Sequence, residues 1–290
     1  MLHVLASAKL NLFLHVTGKR HDGYHELDSL VCFADIGDEL VVESADKFQF
    51  TVDGPFAPQL ANNDISENTV VKAAHLLSAA TNRDLNLKIT LTKNLPSGAG
   101  IGGGSADAAA ILRALQNFWG VSVADETLHK ISLQIGSDVP VCLQSRPAVM
   151  RGTGNIILPA PSMPELHTLL IWPRQKTPTP LVFKNRESSF SEPAVLKPSY
   201  MDAASLISNL TDYTSNDLER TATKLFPVID EAMTMLKQDR TCLFTRMSGS
   251  GSTVFGIFES QKNLEKAAKA IRSSQPDWWV QPCILNAEKI

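Results

Sequence analysis

The chain has 290 residues, enough for a substantial core and best read as two domains. A formal charge of −3 gives no electrostatic reason to expect nucleic acid or an acidic membrane as partner, which leaves a small molecule as the expected ligand. Four scattered cysteines, Cys32, Cys142, Cys242 and Cys283, form no C-x-x-C and read as buried thiols in a reducing compartment, arguing against a disulfide framework or a zinc site.

Ala6-Ser7-Ala8 mimics a signal-peptidase site, but no positive segment precedes it and the apolar run is too short. No segment approaches transmembrane length, so the expectation is a soluble cytoplasmic protein. From Ala6 to Val16 the residues alternate as a strand, with Ser7, Lys9, Asn11, Phe13 and His15 on one face. Lys9 and Asn11 therefore point the same way, and on spacing alone they read as ordinary solvent-facing residues. Thr17–Glu26 reads as a hairpin connection to a strand at Leu27–Ala34. His21 and His25 on it lack a third ligand at metal spacing, whereas Tyr24 and His25 together could hold a flat base. Short strands follow at Glu39–Glu43 and Phe48–Val52, then a helix over Asn68–Ala80 and a strand at Leu87–Thr92.

The stretch Leu95-Pro96-Ser97-Gly98-Ala99-Gly100-Ile101-Gly102-Gly103-Gly104-Ser105-Ala106 passes from glycine-rich to alanine-rich, which predicts a loop opening a helix over Ser105–Phe118. Backbone N–H groups at such a helix start, with the positive end of its dipole, favour phosphate. A Walker A loop is unlike it, because no lysine follows the last glycine. Gly98, Gly100 and Gly103 do fit the dinucleotide fingerprint, with Asp125 near the expected acidic position. That alternative ranks second, since Asp125-Glu126-Thr127 looks like the start of another helix, over Asp125–Gln134.

Gly136-Ser137-Asp138-Val139-Pro140 offers either a fixed carboxylate at a turn or a helix-capping aspartate. Arg151-Gly152-Thr153-Gly154 begins a polar passage, and the prolines of Pro159–Pro164 mark a domain boundary. Beyond it come a strand at Leu169–Trp172, a stiff loop at Pro178-Thr179-Pro180, and an irregular stretch over Glu187–Tyr200. Helices at Asn216–Leu225 and Val228–Gln238 precede strands Cys242–Met247 and Thr253–Phe258, joined by a second glycine loop, Ser248-Gly249-Ser250-Gly251-Ser252. A hairpin turn explains that loop, and its composition also suits a phosphate or polar substrate edge. A last helix at Lys262–Ser273 and a strand at Trp278–Ile284 complete an α+β pattern similar to ferredoxin-like arrangements.

Pro96-x-x-x-Gly100-Ile101-Gly102-Gly103-Gly104-Ser105 with its alanine-rich helix resembles the ATP loop of the GHMP kinase superfamily. The motifs around it narrow the likeness: Ala8-Lys9-Leu10-Asn11-Leu12, Gly18-Lys19-Arg20-x-Asp22-Gly23-Tyr24-His25, Gly136–Pro140, Pro178–Pro180 and Met247–Gly251 resemble the kinases of 4-diphosphocytidyl-2-C-methyl-D-erythritol in the non-mevalonate isoprenoid pathway. The resemblance implies an α+β, two-domain GHMP kinase fold, with a ribosomal protein S5 domain 2-like domain over residues 1–158 and a ferredoxin-like domain over 159–290. It implies an active site in the cleft between them, ATP as cosubstrate, Mg²⁺, a small-molecule substrate, no nucleic-acid or membrane partner, and either a monomer or a homodimer. A different GHMP kinase is the alternative within the superfamily, and a dinucleotide-binding oxidoreductase the alternative outside it.

By the same resemblance Lys9 and Asp138 are the catalytic pair and Asn11 a substrate contact beside them. Tyr24 and His25 match the cytosine-binding residues, Phe183 the second stacking ring, and Thr179 and Gly249 further substrate contacts. Asn68, Lys93 and Ser97 fall where the family meets adenosine, while Pro96, Gly98, Ala99, Gly100, Ile101, Gly102, Gly103, Gly104, Ser105 and Ala106 form the nucleotide loop. Metal ligands are unassigned, with Ser105 the candidate partner of Mg²⁺. Three departures stand out: Ala106 lacks the hydroxyl of the family's usual serine, Asn155 replaces a common glutamate, and Asp107 stands beside the nucleotide loop. Asp107 reads as a structural residue in the first helical turn, where its charge would repel phosphate.

Overall fold

The computed structural model describes residues 1–62 and 64–287. In chain order these form β1 (Leu2–Asn11), β2 (His15–Lys19), β3 (His25–Ser44), β4 (Gln49–Asp53), α1 (Thr69–Thr81), β5 (Leu87–Thr92), α2 (Gly103–Trp119), α3 (Asp125–Ile135), α4 (Val139–Gln144), β6 (Ala148–Gly152), β7 (Ile156–Pro159), β8 (Leu166–Trp172), α5 (Thr179–Lys184), α6 (Ala203–Tyr213), α7 (Glu219–Leu225), α8 (Val228–Gln238), β9 (Cys242–Met247), β10 (Val254–Phe258), α9 (Gln261–Ser274) and β11 (Trp279–Leu285). Contacts gather them into two units, each assembled from separated segments: residues 1–9, 36–97 and 102–146 in the first, residues 10–35, 98–101 and 147–290 in the second. Among the described residues no helix is long and apolar enough to cross a membrane.

In the first unit β5 pairs antiparallel with the second half of β3, from Glu39↔Thr92 to Ser44↔Leu87, and parallel with β4. Leu87, Ile89 and Leu91 alternate inward along β5, as period 2 requires of a strand with one face on the core. α1 and α2 pack against each other, and Ala73, Ala74, Ala106, Ala108, Ala109 and Ala110 on them are all buried. α1 starts where Asn68 accepts a hydrogen bond from Val70 N at 2.9 Å, satisfying one orphan donor of the first turn. After α2 the chain enters α3 and α4, so the strand–helix–strand unit of a dinucleotide site is not built here. Asp125, the acidic residue that reading required, opens α3 at the surface instead.

In the second unit β11, β8, β10 and β9 form an antiparallel sheet in that order. Numbered by sequence this is 4-1-3-2 with helices in both crossovers, the split βαβ arrangement expected. Its core gathers Leu169, Ile171, Ile229, Met233, Leu236, Phe258, Leu264 and Ile271 between the sheet and α8 and α9. β2 and the first half of β3 form the expected hairpin, with Lys19 opposite His25.

Several expectations change. β1 ends at Asn11, so the strand does not run to Val16, and Lys9 and Asn11 are each only 3% exposed, because both faces of the strand's end are covered. β3 is one strand of 20 residues, where Asp35 and Asp38 had broken the apolar pattern. α2 opens at Gly103, two residues early, which moves Asp107 out of the first turn. The polar passage at Arg151 belongs to a β6–β7 hairpin, Thr179 opens a short helix, and α6 was not expected.

α6 ends without a glycine, and Arg246 of β9 takes over its open carbonyls. Its guanidinium donates to Leu210 O at 3.1 Å and Thr214 O at 2.8 Å, and also to Thr214 Oγ1 and to Leu12 O. Burial pulls its pKa down to about 10, with Glu219 opposing the shift, so the group remains charged at neutral pH. Arg246→Met should therefore lower stability by about 3 kcal/mol or more, the scale for stranding partners of a buried charge. Urea unfolding measures this, and a loss below 1 kcal/mol would show that water can replace the guanidinium.

Candidate active site

In the first unit, β1 carries Lys9 inward and the chain turn before α4 carries Asp138 toward it. Lys9 Nζ lies 2.9 Å from Asp138 Oδ2, with the lysine side chain 4% exposed and the aspartate 34%. Asp138 occupies the N-cap position of α4, yet its side chain makes no capping bond. The choice left open by the sequence thus falls to the fixed carboxylate. An ammonium shielded from water beside a carboxylate that still meets it can orient an incoming hydroxyl and offset new negative charge.

The start of α2 adjoins this pair. Gly102 stands at φ +67° as the N-cap residue, and a Cβ there would come within 3.2 Å of the Lys9 side chain. Glycine is what lets the loop backbone pass over the lysine. Thr69 Oγ1 donates to Gly104 O at 2.8 Å, and Gln59 Oε1 accepts from Ser97 N at 2.8 Å, so the loop is tied down on both sides of its turn. Neither Thr69 nor Gln59 carries a sequence signal for that work. Ser105 and Ala106 lie in the first turns of α2, and an added Cβ at Gly136 would meet Ser105 Oγ at 3.9 Å.

Lys93 sits at the end of β5, 2% exposed. Its ammonium donates to Asp38 Oδ2 and, at 2.9 Å, to Asp107 Oδ2. Burial works against its charge, but the two carboxylates outweigh that and hold its pKa above the usual lysine value. Asp38 was not singled out from sequence; an aspartate inside the apolar run of a long strand was the available signal. Its second oxygen accepts from Asn94 N at 2.6 Å and Leu95 N at 2.8 Å.

In the second unit Asn11 is fixed twice: Asn11 Nδ2 donates to Ser29 Oγ at 2.8 Å and Asn11 N to Ser248 Oγ at 3.2 Å. Ser248 Oγ donates in turn to Gly100 O at 2.9 Å, and Thr253 N donates to Ala99 O at 3.0 Å. The second glycine loop is a β9–β10 hairpin turn, as its flanks implied, and it also seats residues 98–101 of the first. A Cβ on Gly100 would lie 2.7 Å from Ser248 O and 2.6 Å from Gly251 O, so only glycine permits that approach. Asn216 Nδ2 holds the seat by donating to Met247 O and Gly249 O, both at 2.8 Å. Thr179 Oγ1 and Ser250 Oγ are hydrogen-bonded at 2.7 Å.

The rings singled out on the hairpin also lie in this unit. His25 and Phe183 stack with centroids 4.9 Å apart and planes 26° from parallel, and Tyr24 beside them is 67% exposed. Burial first, then the charges of Lys19 and Arg186, holds the His25 pKa below the usual histidine value. At neutral pH the ring is therefore uncharged and can both donate and accept.

The family model for the GHMP kinases N terminal domain matches residues 68–146, and that for the GHMP kinases C terminal region matches residues 192–277. A 4-diphosphocytidyl-2-C-methyl-D-erythritol kinase of Paramagnetospirillum magneticum is 45% identical over 280 residues, covering 97% of each chain. Its counterpart in Rhizobium leguminosarum is 44% identical over 277 residues, 95% of this chain and 92% of that one. A crystal structure of 4-(cytidine 5'-diphospho)-2C-methyl-D-erythritol kinase superposes with a TM-score of 0.81 at 32% identity, over 99% of this chain and 100% of the other. Homoserine kinase from Cytophaga hutchinsonii shares the fold, with a TM-score of 0.70 at 16% identity over 98% and 93% of the two chains. Matches of this identity along nearly the whole chain mean that it belongs to the 4-diphosphocytidyl-2-C-methyl-D-erythritol kinase family of the GHMP kinases.

Proposed function

We propose that the protein transfers the γ-phosphoryl group of ATP to the 2-hydroxyl of 4-diphosphocytidyl-2-C-methyl-D-erythritol, releasing ADP, as a cytoplasmic step of the non-mevalonate isoprenoid pathway. The observation that carries the reading is the Lys9–Asp138 pair at 2.9 Å, packed against the glycine that opens α2. Phosphoryl transfer has a loose, anionic transition state and asks mainly for positioning and charge neutralisation. Asp138 accepts the proton of the attacking hydroxyl, or holds that hydroxyl in line, while Lys9 sets positive charge beside the reacting oxygens. Backbone N–H groups from Gly98 to Ala106 receive the nucleotide phosphates, with Pro96 stiffening the loop entry. Asn68 and Ser97 face the adenosine.

Mg²⁺ bound with ATP would neutralise the β- and γ-phosphates, and it needs only one or two protein oxygens because phosphate and water supply the rest. Ser105 Oγ is a donor of that kind. Among the described residues no group of three or more His, Cys, Asp or Glu lies together as a metal cage.

The substrate's cytosine is read by Tyr24, Phe183 and the uncharged His25, with Asn11, Thr179 and Gly249 meeting the remainder of the molecule. Stacking plus edge hydrogen bonds gives selectivity that an alcohol without a base cannot collect. Mevalonate and homoserine should therefore be poor acceptors.

Asp138→Asn should lower kcat by roughly 10²- to 10⁴-fold while leaving the KM for ATP within about threefold, since the lost group acts on the hydroxyl. Steady-state ADP release with the cytidine substrate measures both, and an undiminished kcat would remove Asp138 from the chemistry. A second outcome concerns pH. The folded-state pKa of His25 is depressed, so its binding-competent neutral form persists below the usual histidine value and is lost only at still lower pH. The KM for the cytidine substrate should climb at that acid end, and His25→Gln should flatten the climb. An acid limb identical in both proteins would assign it to another group.

A further inference from the structure

The second unit holds a pocket that the chemistry just described leaves unused. Directly opposed residues of neighbouring strands share a face, and the registers Asp28↔Arg151 and Val149↔Leu158 put an ion pair and an apolar pair on one face of the sheet formed by β3, β6 and β7. Residues 194–198, which have no regular secondary structure, form the opposite wall. The space between them is about 530 Å³, within the range of small-molecule sites.

That wall is pinned along its backbone. Ala194 N donates to Asp28 Oδ2 at 2.8 Å, Asn209 Nδ2 donates to Val195 O at 3.3 Å, and Lys197 N donates to Tyr200 Oη at 3.0 Å. Tyr200 N in turn donates to Ser162 O at 2.8 Å. Pro159, Pro161 and Pro198 line the space with rings whose backbone angle is fixed, so little order remains to be imposed when a ligand enters.

Asp28 is 2% exposed and both its oxygens are engaged, Oδ1 by Arg151 Nε at 2.8 Å and Oδ2 by Ala194 N. Tying the wall to the sheet accounts for Asp28, but it uses only one edge of the Arg151 guanidinium. The terminal Nη1 and Nη2 find no acceptor among the described residues, and the side chain is 44% exposed. Lys197, exposed and also lining the pocket, adds a second cation, so two positive charges stand against one carboxylate that is already engaged. Val149, Leu158 and Val195 join the prolines in making the walls apolar. A guanidinium fork fits two oxygens of one carboxylate or phosphate, and apolar walls fit a hydrocarbon body. We propose that this pocket binds a small organic anion that joins an oxyanion head, held by Arg151 and Lys197, to an apolar body packed against Leu158 and Val195. Such binding needs no phosphoryl transfer, so it stands or falls separately from the kinase reading.

Calorimetric titration of the full chain with octanoate, octyl phosphate, inorganic phosphate and octanol separates head from body. Octanoate or octyl phosphate should bind roughly tenfold or more tightly than inorganic phosphate or octanol, each of which keeps one half of the interaction, and the tighter of the two octyl anions identifies the head group. Arg151→Lys keeps a cation for Asp28 but loses the fork, and should weaken the better probe roughly tenfold, the scale of a hydrogen bond to a charged group. Val195 is 78% exposed, so Val195→Asp should place a like charge at the pocket without lowering the melting temperature, and should weaken the same probe roughly threefold or more. Should Arg151→Lys fail to fold, Val195→Asp decides alone. Affinity unchanged in the folded variants puts the probe elsewhere and overturns the site, as does a wild type that binds neither octyl anion more tightly than inorganic phosphate.

Discussion

An ammonium group that leaves water needs carboxylates at fixed distances, and the first unit meets that demand twice. Lys9 and Lys93 are both almost wholly buried, one paired with Asp138 and the other with Asp38 and Asp107. The pairing fixes backbone as well as side chains. Asp38 draws two N–H groups of the loop entry to itself, and at Gly102, with φ +67°, a Cβ would crowd the Lys9 stem at 3.2 Å. The same rule explains the contrast between the two lysines: one partner carboxylate remains open to solvent and can meet a substrate, while the other two are sealed from solvent.

Around its glycine loops the second unit relies on neutral hydrogen bonds and close backbone approach. Ser248 is the junction: its hydroxyl accepts from Asn11 N and donates to Gly100 O. Asn216 then binds two carbonyls of the same turn. A glycine-rich loop left to itself loses much entropy on ordering, and these contacts hold part of that order before any ligand arrives. The aromatic residues follow a related logic. Phe183 on α5 and His25 at the head of β3 stack on each other, leaving the Tyr24 ring as the exposed surface on the hairpin loop.

Much of this was legible because local chemistry and motif spacing pointed the same way. Glycine passing into alanine told of a loop and helix, the alternation around Lys9 and Asn11 put both on one face, and the strand–helix order of the last third led to a split βαβ sheet. Partners distant in sequence were not legible. Nothing beside Asp38 announces a lysine 55 residues away, and nothing in Ser248 announces Gly100, 148 residues before it. α6 went unseen because a Ser- and Pro-rich stretch precedes it, although Asp202 supplies a regular cap by accepting from Ser205 N at 2.8 Å. β6 and β7 were hidden by a polar turn and by Pro159, which sits at the strand end, where its missing N–H costs least. The exposure expected of Lys9 failed for a tertiary reason: period 2 says which residues share a face, and only packing says whether that face is wet.

This chain moves one phosphoryl group onto one tertiary alcohol. ³¹P spectroscopy of the wild-type protein incubated with ATP, Mg²⁺ and 4-diphosphocytidyl-2-C-methyl-D-erythritol tests it most directly. A single new phosphomonoester signal should grow in step with ADP while the substrate's own diphosphate remains intact. ATP consumption that yields only inorganic phosphate, or a new signal produced by cleavage of the cytidine diphosphate, would contradict it.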